Sequence, residues 1–272
     1  MLARAGRAAG MGLMAIVSLA FLAPVVWAVL GALKPADELM LRPWALPSKV
    51  VWANFDAALQ GHILRYLLNS TVVTIASVGL MLLVGVPAAY AFARLPMKGR
   101  GLLMGLAVSG ILLPAHAVLI PVYQLSQQLH LANLPALVGP YVAFGLPLTI
   151  LLLRAYFAGL PRELVDAAVV DGASHWRIAW QVFVPLAMPA LATVAIFQAV
   201  WIWNELPFAL VLTKDPLWQT LPRGLLSFQG EHTADWGAIL AGVVVATAPV
   251  VALYLALQRH VVRGLTAGAV KG

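Results

Sequence analysis

Two groups of side chains in this sequence are of types and spacings that could do specific work. The first is Glu163-Leu-Val-Asp166-Ala167-Ala168, followed by Asp171-Gly172-Ala173. These are carboxylates beside small side chains. They suit a small, charge-rimmed knob that enters a groove on another protein. The second group is Asn69, Tyr123, Gln198, Trp201, Asn204 and Glu205. Of these, Gln198, Trp201, Asn204 and Glu205 recur at spacings that bring them close to one helical face. Aromatic faces beside hydrogen-bonding groups suit contact with a polar solute. The same polar groups also suit satisfying a kinked backbone or packing against a partner, and the sequence leaves both roles open.

Other chemistry is missing. The chain has no cysteine, which excludes disulfides, thiolate metal sites and cysteine nucleophiles. No G-x-x-x-x-G-K-[ST] loop is present, so the chain does not hydrolyse ATP by itself. His116 is isolated beside Pro114, and His130, His175, His232 and His260 lack metal-ligand spacing, so no metal site is expected. No catalytic residue stands out, and the expectation is a protein that is not an enzyme.

The elements that hold these groups follow from where charge is absent. The chain has 272 residues, 62% hydrophobic and only 10% charged. An average soluble domain is about 45–50% apolar and about 25% charged. No Asp, Glu, Lys or Arg occurs in residues 8–33, 66–93, 101–153, 178–204 or 236–258. A transmembrane helix needs roughly 20 apolar residues. Four of these stretches hold one span each. The long one holds two, divided by the polar run Gln124 to Asn133. The sequence therefore predicts an all-α polytopic membrane protein with six transmembrane helices, near 11–33, 67–93, 102–123, 136–157, 186–205 and 237–258. With no internal repeat or low-complexity linker, residues 1–272 read as a single domain.

Placing the N-terminus in the cytoplasm puts eleven of the 17 Lys and Arg on inner segments. The inner side is then net positive and the outer side slightly negative, as the positive-inside rule requires. Both termini are expected in the cytoplasm. The net charge of +7 is thereby explained by topology, and no nucleic-acid partner is expected.

This topology puts the first group in the inner loop between spans four and five. Pro161 suits the first position of a helix, and Glu163 lies in the first turn, where the helix dipole favours a carboxylate. A short helix is predicted over Glu163 to Val170, ended by Gly172 in a left-handed cap. Ser174 is placed to cap a second helix. On it Trp176, Trp180 and Phe183 recur at i, i+4 and i+7, forming a stripe suited to the membrane interface.

Asp166-Ala167-Ala168, then Gly172, then nine residues, then Val182-Phe-Val-Pro185 resembles the EAA loop of ABC importer permeases, whose pattern is E-A-A-x-x-x-G, nine residues, I-x-L-P. Asp166 replaces Glu, and Val182 and Val184 replace Ile and Leu. Asp171-Gly172-Ala173 matches the family's D-G-A. Tyr66 to Thr74, Trp203-Asn204-Glu205 and the tail Gln258 to Gly272 resemble the carbohydrate-uptake branch, specifically the second permease of maltose, glycerol-phosphate and multiple-sugar transporters. This resemblance implies a permease subunit in the bacterial cytoplasmic membrane that moves a sugar or related solute. It implies a second homologous permease, two ATPase subunits carrying ATP and Mg, an extracytoplasmic solute-binding protein, and no cofactor on this chain. Glu163, Asp166, Ala167, Ala168, Asp171, Gly172 and Ala173 would form the coupling loop. The tail from Gly268 is similar to one that reaches between ATPase subunits. The loop from Thr213 to Trp236 corresponds in position to one that probes the binding protein's cleft. An ion- or proton-coupled secondary transporter is the alternative. It lacks the intramembrane acid, Lys or Arg that such coupling usually uses.

Overall fold

The computed structural model describes residues 2–228 and 235–269, and every regular element among them is helical. In chain order these are α1 (Leu2–Ala32), α2 (Ala36–Leu41), α3 (Ala53–Gln60), α4 (Ile63–Arg94), α5 (Arg100–Ser109), α6 (Leu119–Gln128), α7 (Leu134–Ala158), α8 (Glu163–Val170), α9 (His175–Ile178), α10 (Val184–Leu186), α11 (Met188–Trp203), α12 (Pro207–Leu212), α13 (Leu221–Leu225) and α14 (Trp236–Ala269). The chain is all-α. Its coordinates group into two compact units, residues 1–64 with 224–249, and residues 65–223 with 250–272.

Three helical stretches, Gly10–Ala32, Ile63–Arg94 and Leu134–Ala158, are long and apolar enough to cross a membrane. Two further pairs qualify as broken spans: Arg100–Leu112 with Ala115–Gln128, bent by 91°, and His175–Leu186 with Met188–Trp203, bent by 84°. Trp236–Ala252 is a shorter apolar helix. The stretch expected as the third span, over 102–123, is thus broken by a bend. Leu113 and Pro114 are both extended, with ψ near 120°. Proline supplies no N–H and disfavours helix at the residue before it, so the helix breaks there. It resumes and runs on to Gln128, into the polar run expected to be the divider. Pro24, Pro87, Pro140, Pro147 and Pro249, by contrast, lie inside continuous helices.

In the first unit, the C-terminal end of α1 is closed by its neighbours. Asn54 of α3 donates its amide to the carbonyls of Ala32 and Lys34, both at 2.9 Å. The Ala32 carbonyl is one that the end of a helix leaves without an internal partner, and Lys34 lies two residues beyond it. Ala32, Ala58, Leu240 and Ala241 form the small core there, flanked by Trp27, Leu39 and Phe55.

In the second unit, α4, α7 and α11 surround two cores. One holds Val86, Tyr90, Leu153, Phe157, Ile178, Phe183 and Leu191. The other holds Val73, Met81, Leu137, Tyr141, Ile202, Phe208 and Leu212. α4 and α7 approach closely at small residues. A Cβ on Gly85 would lie 2.7 Å from Thr149 Cγ2, and one on Gly145 would lie 2.4 Å from Met81 Sδ. Gly79 of α4 and Gly105 of α5, by contrast, have nothing within 4 Å of a built Cβ.

Candidate functional site: the α8–α9 hairpin and the polar layer above it

α8 spans Glu163–Val170, as the sequence predicts, although its first turn is closed by Arg162 rather than Pro161. The Arg162 carbonyl accepts from Val165 N at 2.8 Å and Asp166 N at 3.2 Å. The helix ends in a Schellman motif. Gly172 has φ +77°, Gly172 N donates to Val169 O at 3.0 Å, and Ala173 N donates to Ala168 O at 2.9 Å. Ser174 Oγ then accepts from Arg177 N at 3.3 Å and caps α9.

This geometry sorts the motif residues onto two faces. Val165, Ala168 and Ala173 pack against the inner core. Glu163, Asp166, Ala167, Asp171 and Gly172 are exposed, and Val170 is 86% exposed. The two alanines therefore differ in role. Ala168 packs against the core, and its main-chain carbonyl receives the capping bond. Ala167 is small on an open surface. The outer face is a shallow apolar patch, Ala167 and Val170, with a carboxylate on either side.

The expected Trp176–Trp180–Phe183 stripe forms only in part: the rings of Trp176 and Trp180 lie 5.8 Å apart, but Phe183 leaves it. Residues Ala179–Phe183 make a wider π-helical turn, which alters the angular step per residue. Trp176 stays exposed, whereas Phe183 is fully buried. Its ring stands edge-on to Tyr90 at 5.0 Å and to Phe157 at 5.3 Å, with the Arg94 guanidinium 5.4 Å from its centroid. Arg94 also donates to the carbonyls of Phe157 and Leu160 just past the end of α7. Tyr90 Oη lies 3.0 Å from His175 Nδ1. The hairpin is thus tied to the ends of α4 and α7 by an aromatic plug, a cation and a hydrogen bond. Neither Arg94 nor His175 belongs to a motif in the sequence; the signals that point to them are a basic residue and aromatics at span ends.

The second group divides. Asn69 is buried, and its amide donates to the carbonyls of Leu217 and Gln219, both at 2.9 Å. Together with Ser70 Oγ, which accepts from Leu221 N at 2.8 Å, it pins the first half of the loop that follows α12. Residues 229–234 of that loop lie outside the described residues. Gln198 is buried and donates to Gly145 O at 2.9 Å and Thr149 Oγ1 at 3.2 Å, beside Pro147 in α7. Glu205 is buried. Its Oε1 accepts from Phe208 N at 2.7 Å, and its Oε2 from Tyr141 Oη at 2.7 Å and Ala209 N at 3.3 Å. It therefore caps α12, where helix N-terminal N–H groups favour a carboxylate. Trp201 stands edge-on to Tyr141 at 5.8 Å but keeps an exposed face. Asn204 is exposed and donates to Val200 O at 2.7 Å. Tyr123 lies under Lys214, 5.2 Å from Nζ to the ring centroid. Among the described residues no group of His, Asp and Glu has metal-binding spacing. The last three residues of the tail, 270–272, lie outside the described residues.

The model of the family described as binding-protein-dependent transport system inner membrane component matches residues 81–267. The sulfoquinovosyl glycerol transport system permease protein SmoH of Agrobacterium fabrum is 36% identical over 253 residues, covering 92% of this chain and 88% of that protein. The trehalose transport system permease protein SugB of Mycobacterium tuberculosis is 35% identical over 255 residues, covering 92% and 93%. Among solved structures, a bacterial ABC transporter involved in import of the acidic polysaccharide alginate shares the fold. Its TM-score is 0.81 at 23% identity, covering 95% of this chain and 97% of that one.

Proposed function

Because this chain belongs to the family of binding-protein-dependent transport system inner membrane components, and is a permease subunit of an ABC importer rather than an enzyme, we propose that it carries a sugar or related solute through a paired pore and couples that movement to ATP hydrolysis through the α8–α9 hairpin. The observation that carries the reading is the hairpin itself. Its exposed face combines Ala167 and Val170 with the carboxylates of Asp166 and Asp171, and its buried face is locked to α4 and α7. A knob fixed in this way transmits a displacement to the spans instead of absorbing it.

The chain works as one permease domain with six spans, counting each bent pair as one and α14 as the sixth, with both termini in the cytoplasm. A second homologous permease completes the pore. Two ATPase subunits, which carry ATP and Mg, seat the hairpins, and an extracytoplasmic binding protein delivers the solute. The names of SmoH and SugB support a glycoside-type solute. Within this chain, Trp201, Asn204 and Tyr123 present faces suited to solute contact. Asn69, Gln198 and Glu205 hold the walls, since their polar atoms already have partners in the chain. The secondary-transporter alternative has no support from the family or from these relatives.

The test is reconstitution of the chain with its co-expressed partners in proteoliposomes. Uptake of a labelled sugar should require internal ATP and the binding protein, and should survive collapse of ion gradients by ionophores. Uptake that follows an ion gradient without ATP would reject the reading.

A further inference from the structure

We propose that residues 40–52 form an interfacial anchor that sits in the headgroup region of the bilayer at the C-terminal end of α1. The segment exposes Met40, Leu41, Trp44, Leu46, Val50 and Trp52, with Trp44 at 82% and Leu41 at 80% exposure. Scattered surface hydrophobes are ordinary, but a contiguous set this large marks a binding surface.

Three contacts place the segment at the depth of the membrane boundary. The ammonium of Lys34, just beyond the end of α1, is buried and donates to the carbonyls of Arg42 at 3.0 Å and Pro43 at 2.9 Å. Val51 N donates to Leu33 O at 2.9 Å. Trp27, inside the apolar stretch Gly10–Ala32, donates its indole N–H to Pro43 O at 3.0 Å and packs its ring 6.1 Å from that of Trp44. Trp27 lies five residues before Ala32. At about 1.5 Å rise per residue this is roughly 7 Å below the helix end. The chain therefore leaves α1, turns, and comes back down beside its last turns.

The composition suits a lipid surface. Trp44 and Trp52 alternate with exposed Arg42 and Lys49. Tryptophan and basic residues gather where headgroups meet hydrocarbon, whereas the core of a protein interface is depleted of charge. The most apolar 18-residue window of α1 has no buried residue within this chain, and burial begins only at its last turn with Gly31 and Ala32, so the exposed surface of the segment continues an already exposed membrane-facing surface. The proposal rests on α1 crossing the membrane.

The chain contains no cysteine, so single spin labels can be placed without background from this subunit. We would label Trp44→Cys, Leu46→Cys and Trp52→Cys separately in the assembled transporter in liposomes, with Phe21→Cys in α1 and Gln128→Cys as references. Collisions with oxygen and with a water-soluble nickel chelate give the depth of each label. A Phe21 label open to nickel would show that α1 does not span, and would reject the underlying reading. With Phe21 shielded, the proposal expects the three segment labels to have oxygen-to-nickel ratios several-fold above that of Gln128 and below that of Phe21. Nickel access equal to Gln128 would put the segment in water and overturn the proposal. Shielding from both reagents would put it against the partner permease and overturn it equally.

Discussion

The Arg94 guanidinium, at the last residue of α4, donates to the main-chain carbonyl of Phe157 at the end of α7. The same group reaches Leu160 O and lies over Phe183, so one cation joins two spans to the start and the far side of the hairpin. Charged hydrogen bonds of this type are worth about 1.5–3 kcal/mol each. Arg94→Ala should leave the protein inserted but loosen residues 160–175. Hydrogen exchange in that segment should accelerate, and solute-stimulated ATP hydrolysis should fall. Arg94→Lys should recover only part of the loss, because an ammonium lacks the planar fork. Unchanged exchange in the Ala variant would show that the cation does not hold the hairpin.

Phe183→Ala tests the plug by volume instead of charge. Removing a fully buried aromatic costs about 3–5 kcal/mol. The expected result is a clear drop in thermal stability and uncoupled or absent ATP hydrolysis. Phe183→Leu should retain most of both. Wild-type stability in the Ala variant would contradict the burial seen here.

At Gly172 the backbone decides the outcome. Its φ of +77° is left-handed, yet a built Cβ meets nothing within 4 Å. The cost of a β-branched residue is therefore backbone strain alone, about 1–2 kcal/mol. Gly172→Val should reduce uptake while membrane insertion stays normal, and Gly172→Asn should be milder because Asn tolerates that region. Equal uptake by the Val variant and wild type would remove the capping argument.

Glu205→Gln separates wall from pathway. The carboxylate caps α12 and accepts from Tyr141. Loss of its charge at a helix N-terminus should cost about 1 kcal/mol. The melting temperature should fall without any change in the apparent affinity for solute. Trp201→Ala should show the opposite pattern. A large affinity change in Glu205→Gln with stability intact would move Glu205 into the solute path.

Much of this was legible in the chain before any coordinates. α8 and its left-handed end at Gly172 follow from local chemistry: an acidic first turn, a glycine with no Cβ, and a serine two residues on. Such signals act within one turn. What stayed hidden depends on tertiary partners. The period of the Trp176–Phe183 stripe assumes 3.6 residues per turn, whereas residues Ala179–Phe183 form a π turn and the Phe183 ring seats against Tyr90 and Phe157. The 91° bend at Leu113–Pro114 was equally hard to read. Proline at 114 looks the same in sequence as proline at 87, where the helix continues. Asn69, Gln198 and Glu205 stay open in the sequence between solute contact and wall, because a sequence shows polarity without showing which donors and acceptors already have partners.

The central claim is that the exposed face of the hairpin seats on the ATPase. A benzophenone attached to Val170→Cys in the cysteine-free chain measures this directly, with the same reagent at Gln128→Cys, which the proposed topology puts on the opposite side, as the control. On irradiation of the assembled transporter, the account predicts an adduct between this chain and the ATPase from position 170 and none from position 128. It further predicts that Asp166→Lys in the same background weakens that adduct more than Asp166→Ala. ATPase that co-purifies fully with the labelled chain yet forms no adduct at position 170 would contradict the account.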